Sequence, residues 1–181
     1  SSLLLMLPYA LTVFVLVMGN YELLGEGFFE TFFDAPNALE GKPRNYWLDL
    51  GLVGVVVIER YSTDWTEQVY LDWLDAALEA LQDKPWLIVS YHEPAYTFSS
   101  HGPWKMAPQT IHPLLKKHGV DLVVSGHNHC YEHYNVDGIQ YLVTGGGGAP
   151  LYGVHPDNGG TKESEMFVNG ATMHHFIVLD I

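Results

Sequence analysis

The chain has 181 residues, a length that suits one domain with a substantial hydrophobic core. Hydrophobic residues make up 48% of the sequence and aromatic residues 13%, a composition that excludes intrinsic disorder. Acidic residues outnumber basic ones by 21 to 8, giving a formal charge of -13. This excess argues against binding to a nucleic-acid backbone but not against a phosphorylated substrate, because bound metal ions reverse the local field.

The amino-terminal stretch is strongly apolar. Residues 3–18 form a run of about 16 residues that includes Pro8, shorter than the ~20 residues of a membrane span, and no basic residue precedes the run. We therefore expect neither a transmembrane helix nor a signal peptide here, but a buried strand preceded by part of a helix. The single cysteine, Cys130, excludes an internal disulfide and leaves the redox compartment open.

Short apolar runs rich in Val, Ile and Leu predict buried strands, and two stretches of helical period predict helices. In chain order, the predicted strands are residues 12–18, 46–50, 53–58, 86–91, 120–125, 139–144 and 175–181. The predicted helices are residues 66–81, capped by Asp64 or Thr66, and residues 108–118, closed by Gly119. Strands that alternate with helices and then continue as hairpins predict a single α/β domain over residues 1–181.

Three of the predicted strands end in residue types that ligate metals. The side chains that follow them are Asn20, Tyr21 and Glu22, then His92 and Glu93, then His127, Asn128 and His129. Open α/β sheets gather ligands at such strand ends, and imidazole and amide groups suit zinc, iron or manganese. A lone histidine after a strand is more often a hydrogen-bonded structural residue, so the inference depends on the three blocks together.

These blocks, in this order, resemble the motifs of the calcineurin-like metallophosphoesterases. That family carries Asp-x-His, Gly-Asp, Gly-Asn-His-Glu/Asp, a strand-end His and Gly-His-x-His, and the chain matches the last three. Further segments resemble the purple-acid-phosphatase branch, namely residues 28–33, 41–46, 84–86, 127–132, 145–153 and 174–176.

The resemblance implies a fold, a reaction and a set of ligands. The fold would be the two-sheet α/β sandwich of the family, with its N-terminal part missing from this chain. The reaction would be hydrolysis of a phosphate ester at a dimetal centre of iron, zinc or manganese. Asn20, His92 and His127 would ligate one metal, and His129 would ligate the other.

The sequence also departs from the family pattern. It contains neither Asp-x-His nor Gly-Asp, so the carboxylate that bridges the two metals has no counterpart. Tyr21 stands where relatives carry a catalytic histidine, and a phenol that titrates near ~10 is a poor acid–base group at neutral pH. His101 lies in a loop that faces the substrate in relatives, where it would contact the phosphate or supply a proton; the alternative is a solvated histidine.

The remaining polar groups have two interpretations each. Glu22, Glu93 and Glu132 either orient ligating imidazoles or lie on the surface. The glycines at residues 145–148 are interpreted as a strand-end turn beneath the site, because no Gly-Lys-Ser/Thr follows them to form a phosphate-binding loop. His174 and His175 alternate along a predicted strand, so one of them is expected to point inward and to have a packing role.

Two functions therefore stay open. The first is a metal-dependent phosphoesterase whose missing blocks lie outside this sequence or on another chain. The second is a catalytically inactive pseudo-phosphatase, or a structural or interaction module. We expect the isolated chain to be inactive or very weak, to bind a phosphate ester but no nucleic acid or membrane, and to pair with a second chain or self-associate. The resemblance favours a secreted or periplasmic protein, whereas the sequence itself does not fix the compartment.

Overall fold

The structure is a computed structural model that describes residues 35–158 and 161–180. Its strands are β1 (Tyr46–Asp49), β2 (Val53–Val57), β3 (Trp86–Ser90), β4 (Leu122–Ser125), β5 (Tyr131–Val136), β6 (Ile139–Thr144) and β7 (Phe167–Ala171). Its helices are α1 (Gln68–Glu79), α2 (Ala107–Thr110), α3 (His112–Lys117) and α4 (Thr161–Met166), with a 3-10 turn at Pro156–Asn158.

The seven strands form one mixed sheet in the order β1-β2-β3-β4-β6-β5-β7. Strands β2, β3, β4 and β6 are parallel to one another, whereas β1 and β5 run antiparallel to their neighbours. Helix α1 connects β2 to β3, and helices α2 and α3 connect β3 to β4. The carboxyl ends of β2, β3 and β4 therefore meet at one edge of the sheet, and this edge carries the candidate site.

The sheet buries apolar side chains on both of its faces. On one face, Val56 packs with Leu74 and Leu78 of α1 in the larger core cluster. On the opposite face, Val55 lies in a second cluster with Tyr46. Successive residues of β2 thus serve opposite layers, as the alternation of a strand requires. The predicted α/β class is confirmed.

Most predicted strands are confirmed, and two were not predicted. The predictions at residues 46–50, 53–58, 86–91, 120–125 and 139–144 match β1, β2, β3, β4 and β6. Strand β5 was missed because its sequence carries a fully buried carboxylate, Glu132, among its inward residues. Strand β7 was missed because Gly170 and Asn169 interrupt its short apolar pattern.

The predicted strand at residues 175–181 is wrong over the part that the structure describes, because residues 174–180 form no strand. Its apolar side chains are not covered: Phe176 is 85% exposed and Val178 is 75% exposed. The prediction at residues 12–18, with the apolar run around it, lies outside the described residues. Among the helices in the described ranges, none is long and apolar enough to cross a membrane.

The two predicted helices are found with changed ends. The N-cap residue of α1 is Glu67, and no side chain makes a capping hydrogen bond there. Asp64 instead accepts hydrogen bonds from the amide and hydroxyl of Thr66, just before the helix. The predicted cap is therefore wrong. The predicted helix at 108–118 is divided into α2 and α3 at Ile111, since Pro113 has no amide hydrogen to continue the ladder.

The end of α3 agrees with its prediction. Gly119 has a left-handed backbone, with φ of 66°. Its amide donates to Lys116 O at 3.2 Å, and the amide of Val120 donates to Leu115 O at 3.0 Å. This pair of bonds is a Schellman motif, which glycine closes at no steric cost.

Candidate metal and phosphoester site

The ends of β3 and β4 bring two predicted ligands together. Strand pairing continues past both ends, because Tyr91 N donates to Val124 O at 3.2 Å and Gly126 N donates to His92 O at 2.9 Å. The next side chains, His92 and His127, face each other with Nε2 and Nδ1 3.2 Å apart and their ring centroids 5.1 Å apart. Two ring nitrogens therefore converge at the carboxyl edge of the sheet.

This separation fits two ligands of one metal ion. Two nitrogens at about 2.0–2.1 Å from an ion stand roughly 3.0 Å apart at a right angle and roughly 3.4 Å apart at the tetrahedral angle. The observed 3.2 Å between His92 Nε2 and His127 Nδ1 lies between these values. The pair thus suits the coordination geometries of zinc, iron and manganese alike.

His127 reaches this position through an uncommon backbone. Its φ is 64°, in the left-handed region that costs a residue with a β-carbon roughly 1–2 kcal/mol. The positive φ lies on His127 itself and not on the preceding residue, Gly126. A histidine held in such a conformation indicates a local constraint that the imidazole position requires.

His129 is oriented by contacts with a later loop. Its Nδ1 lies 2.8 Å from Pro150 O, and because a carbonyl oxygen only accepts, Nδ1 carries the hydrogen. The lone pair is then on Nε2, the tautomer that metal-bound histidines adopt when a carbonyl fixes the other nitrogen. The ring also stacks on Tyr152 at 4.4 Å and 13°. No role was predicted for Pro150 or Tyr152, because the contact joins segments that are far apart along the chain.

His101 joins the same group of rings. Its imidazole centroid is 4.8 Å from that of His127 and 4.9 Å from that of Tyr152, and the residue is exposed to solvent. The loop of residues 97–101 therefore carries His101 to the mouth of the site. This position agrees both with the phosphate contact or proton donor that the resemblance implies and with a solvated histidine, so the role of His101 stays a prediction.

The electrostatic surroundings favour the neutral form of His127. Burial lowers the pKa of His127, and His101, Arg60 and His129 lower it further, whereas Glu93 acts in the opposite direction. Neutral imidazole is the form that binds metals. Glu93 itself is held in an ion pair with Arg60 at 2.5 Å and accepts a hydrogen bond from the Tyr61 hydroxyl at 3.0 Å.

Glu132 has neither of the two roles considered for it. It is fully buried, and its carboxylate accepts hydrogen bonds from Phe98 N at 2.7 Å, Thr97 Oγ1 at 2.5 Å and Tyr134 OH at 3.0 Å. It supports the loop that carries His101. The prediction that it orients an imidazole or lies on the surface is wrong, because the inward face of β5 directs it beneath that loop.

The glycine run after β6 packs against the site. A β-carbon at Gly145 would lie 2.1 Å from Asn128 O, so only glycine lets the two backbones approach this closely. Nearby, His175 Nε2 lies 3.0 Å from Thr144 Oγ1, and the ring packs edge-on against Tyr131 at 5.5 Å. These contacts agree with a strand-end turn at residues 145–148 and a packing role for His175.

The described residues furnish part of a metal centre. No group of three or more His, Cys, Asp or Glu side chains within residues 35–158 and 161–180 is arranged to hold an ion. Asn20, Tyr21 and Glu22 lie outside these ranges, so their roles stay predictions, as do the metal roles of His92, His127 and His129. Two of the described imidazoles, those of His92 and His127, are placed to bind one ion. A third, that of His129, has its lone pair on Nε2.

A family model for calcineurin-like phosphoesterases matches residues 2–131 of the chain. The chain belongs to this family. It is 27% identical over 128 residues to purple acid phosphatase 7 of Arabidopsis thaliana, covering 62% of this chain and 39% of that protein. It is 30% identical over 78 residues to tartrate-resistant acid phosphatase type 5 of Homo sapiens, covering 42% of this chain and 24% of that protein.

Solved structures agree on the fold. Purple acid phosphatase PPD1 from yellow lupin (Lupinus luteus) seeds superposes with a TM-score of 0.61 at 22% identity, covering 78% of this chain and 28% of that chain. GAP50, the anchor in the inner membrane complex of Plasmodium, superposes with a TM-score of 0.53 at 15% identity, covering 71% and 44%. The predicted membership of a purple-acid-phosphatase-related group and the metallophosphoesterase fold are confirmed, and the chain spans 39% of the length of the first of these relatives.

Proposed function

We propose that the chain contributes to the metal-dependent hydrolysis of phosphate esters, as an acid-phosphatase-like domain. The observation that carries the proposal is the convergence of His92 Nε2 and His127 Nδ1, 3.2 Å apart at the carboxyl edge of the sheet. The fixed tautomer of His129 supports it, because its free Nε2 belongs to the same Gly-His-x-His segment. The family, whose members are phosphoric ester hydrolases, supplies the reaction class.

Each described residue has a defined part in this proposal. His92 and His127 would hold one ion, and His129 would present Nε2 to a second position. A bound ion would polarise the phosphoryl group and lower the pKa of an attacking water. His101, at the solvent-exposed mouth beside His127, contacts the phosphate or donates a proton to the leaving group.

The charge distribution makes phosphate binding depend on the metal. Several of the few basic side chains are engaged elsewhere, since Lys84, Lys116 and Lys117 pair with Asp49, Asp137 and Asp75. Near the site, Arg60 is neutralised by Glu93 at 2.5 Å. With a net charge of -13, the protein repels a phosphate ester unless cations are bound at the histidines.

The proposal is tested by hydrolysis of an aryl phosphate in zinc or manganese. We expect slow release of the phenol, above a blank of buffer and metal, because the sequence lacks the bridging carboxylate blocks. His127→Ala is expected to return the rate to the blank, and so is addition of a chelator. His133→Ala is the matched control, because His133 lies on β5 and hydrogen-bonds Gln140.

A non-catalytic module is the second candidate. It is favoured by the absence of Asp-x-His and Gly-Asp from the sequence and by the fold shared with GAP50, which is described as an anchor. Zinc binding by the wild-type chain with no hydrolysis of the aryl phosphate above the blank would support this candidate over the enzymatic one.

A further inference from the structure

We propose that Asn128 is a positioning residue that holds the loop of residues 97–101, and with it the His101 ring, beside His127. This inference rests on the proposed function for its catalytic meaning. Its structural part concerns the loop alone and stands or falls independently.

The side chain of Asn128 makes three hydrogen bonds to this loop. The residue is completely buried. Its Oδ1 accepts from His101 N at 3.0 Å, and its Nδ2 donates to His101 O at 2.8 Å and to Thr97 Oγ1 at 2.9 Å. The carboxamide thus bonds both backbone groups of His101, as a neighbouring strand would.

This pattern requires an amide. A carboxamide presents one acceptor and two donors in a plane, which matches an N–H group, a carbonyl and a hydroxyl oxygen. Aspartate has nearly the same shape but no donor when ionised, so it would leave His101 O and Thr97 Oγ1 facing a carboxylate. Alanine would leave the backbone groups of His101 without this partner.

The three hydrogen bonds from Asn128 to Thr97 and His101, here called the Asn128 clamp, are tied to the sheet by a second set of hydrogen bonds. Thr97 Oγ1 accepts from Asn128 Nδ2 and from Ser99 N at 3.1 Å, and it donates to Glu132 Oε2 at 2.5 Å. Its one donor and two acceptor sites are therefore all in use. Because Glu132 lies on β5, the loop is tied to the sheet through Thr97, and such connected polar networks reinforce one another.

The clamp links the loop to the candidate ligands. Asn128 lies between His127 and His129 in the chain, so one buried residue couples the position of His101 to both imidazoles. The resulting separation of 4.8 Å between the His101 and His127 centroids leaves His101 facing solvent. Without the clamp, the loop keeps its Glu132 bonds at residues 97–98, but His101 loses its backbone anchors.

The test compares Asn128→Asp with Asn135→Ala in the full chain without metal. Asn135 is exposed and its Oδ1 accepts from Gly138 N at 3.1 Å, so it is a matched asparagine away from the site. We expect amide hydrogen exchange at His101 to rise about tenfold in Asn128→Asp, while exchange in β3 and β4 is unchanged: aspartate keeps the acceptor for His101 N but loses the donor to His101 O, and losing that bond of ordinary strength makes the loop open more often. Asn135→Ala should exchange like the wild type at His101.

Two further readouts separate positioning from a general structural effect. Zinc affinity should be nearly unchanged in Thr97→Val, which adds no charge beside the candidate ligands, whereas kcat for an aryl phosphate should fall more than KM changes. Thr97→Val, which keeps the shape of the side chain but removes the hydroxyl, should also raise amide exchange at His101, as Asn128→Asp does. Unchanged His101 exchange in Asn128→Asp, or a parallel rise throughout the sheet, would overturn the clamp. If exchange responds as expected but the wild type hydrolyses nothing, the clamp stands and the proposed function fails.

Discussion

Among the candidate ligands that the structure describes, His127 has an uncommon, left-handed backbone. Its φ of 64° is unfavourable for histidine, yet it directs the imidazole towards His92. The stability of the fold and the geometry of the site therefore make opposite demands on one residue.

A pair of substitutions separates these demands. Neither His127→Gly nor His127→Ala retains the imidazole, but glycine accepts the left-handed backbone and alanine does not. We predict that His127→Gly is more stable than His127→Ala by about 1 kcal/mol, measured by urea denaturation. Equal stability, or a more stable alanine variant, would mean that the backbone at this position is not strained.

At the scale of the secondary-structure elements, the end of β6 packs closely against the turn after β4. Gly145 has no room for a β-carbon because Asn128 O would lie at 2.1 Å, whereas a β-carbon at Gly147 would have nothing within 4 Å. We predict that Gly145→Ala destabilises the fold by about 1–3 kcal/mol, as overpacked sites do, and displaces the histidine turn. Gly147→Ala, two residues away, should change the thermal midpoint little. Similar midpoints for the two variants would contradict this packing.

Helices α1 and α3 are joined by a charged cluster around Asp75. Its carboxylate accepts hydrogen bonds from Lys117 Nζ at 2.6 Å and His118 Nε2 at 2.6 Å. These two bonds, Lys117 first, lower the pKa of Asp75 below its ordinary value of 3.8. Since the folded state then holds the proton less tightly, the contribution is present above about pH 4 and is lost as the pH falls further.

Replacement of Asp75 tests this acid sensitivity. Asp75→Asn should lower the thermal midpoint at pH 6 and flatten its fall between about pH 4 and pH 2, because the group that titrates there is removed. Asp72→Asn, on the same helix, is the control, because Asp72 accepts only a bond from Gln68 among its described contacts. If the thermal midpoint of Asp75→Asn falls as steeply below about pH 4 as that of the wild type, the pH dependence arises from other groups.

At the scale of the whole molecule, the features that could be predicted from the sequence are those that depend on local residue patterns. Apolar runs predicted five of the seven described strands. His92 and His127 were singled out because they follow two of these runs, and the structure brings them together. Strand β5 was not predictable from periodicity, because Glu132 is buried by bonds to a loop more than thirty residues earlier. The orientation of His129 by Pro150 and Tyr152 likewise depends on contacts between distant segments.

Other expectations at this scale stay predictions. The expected partner chain or self-association stays a prediction, and Phe176 and Val178 are largely exposed apolar side chains at the end of the described chain. The single-domain boundary over residues 1–181 also stays a prediction, although the strands of the described residues form one sheet.

The central claim is that His92 and His127 converge on one metal position. Zinc titration by calorimetry tests it most directly, with the wild type, His92→Ala, His127→Ala and the β5 control His133→Ala. We predict that each of the first two substitutions weakens zinc binding by at least about tenfold, since each removes a ligand, while His133→Ala binds like the wild type. Equal zinc affinity in all four proteins would contradict the claim, because the ion would then bind away from this pair of histidines.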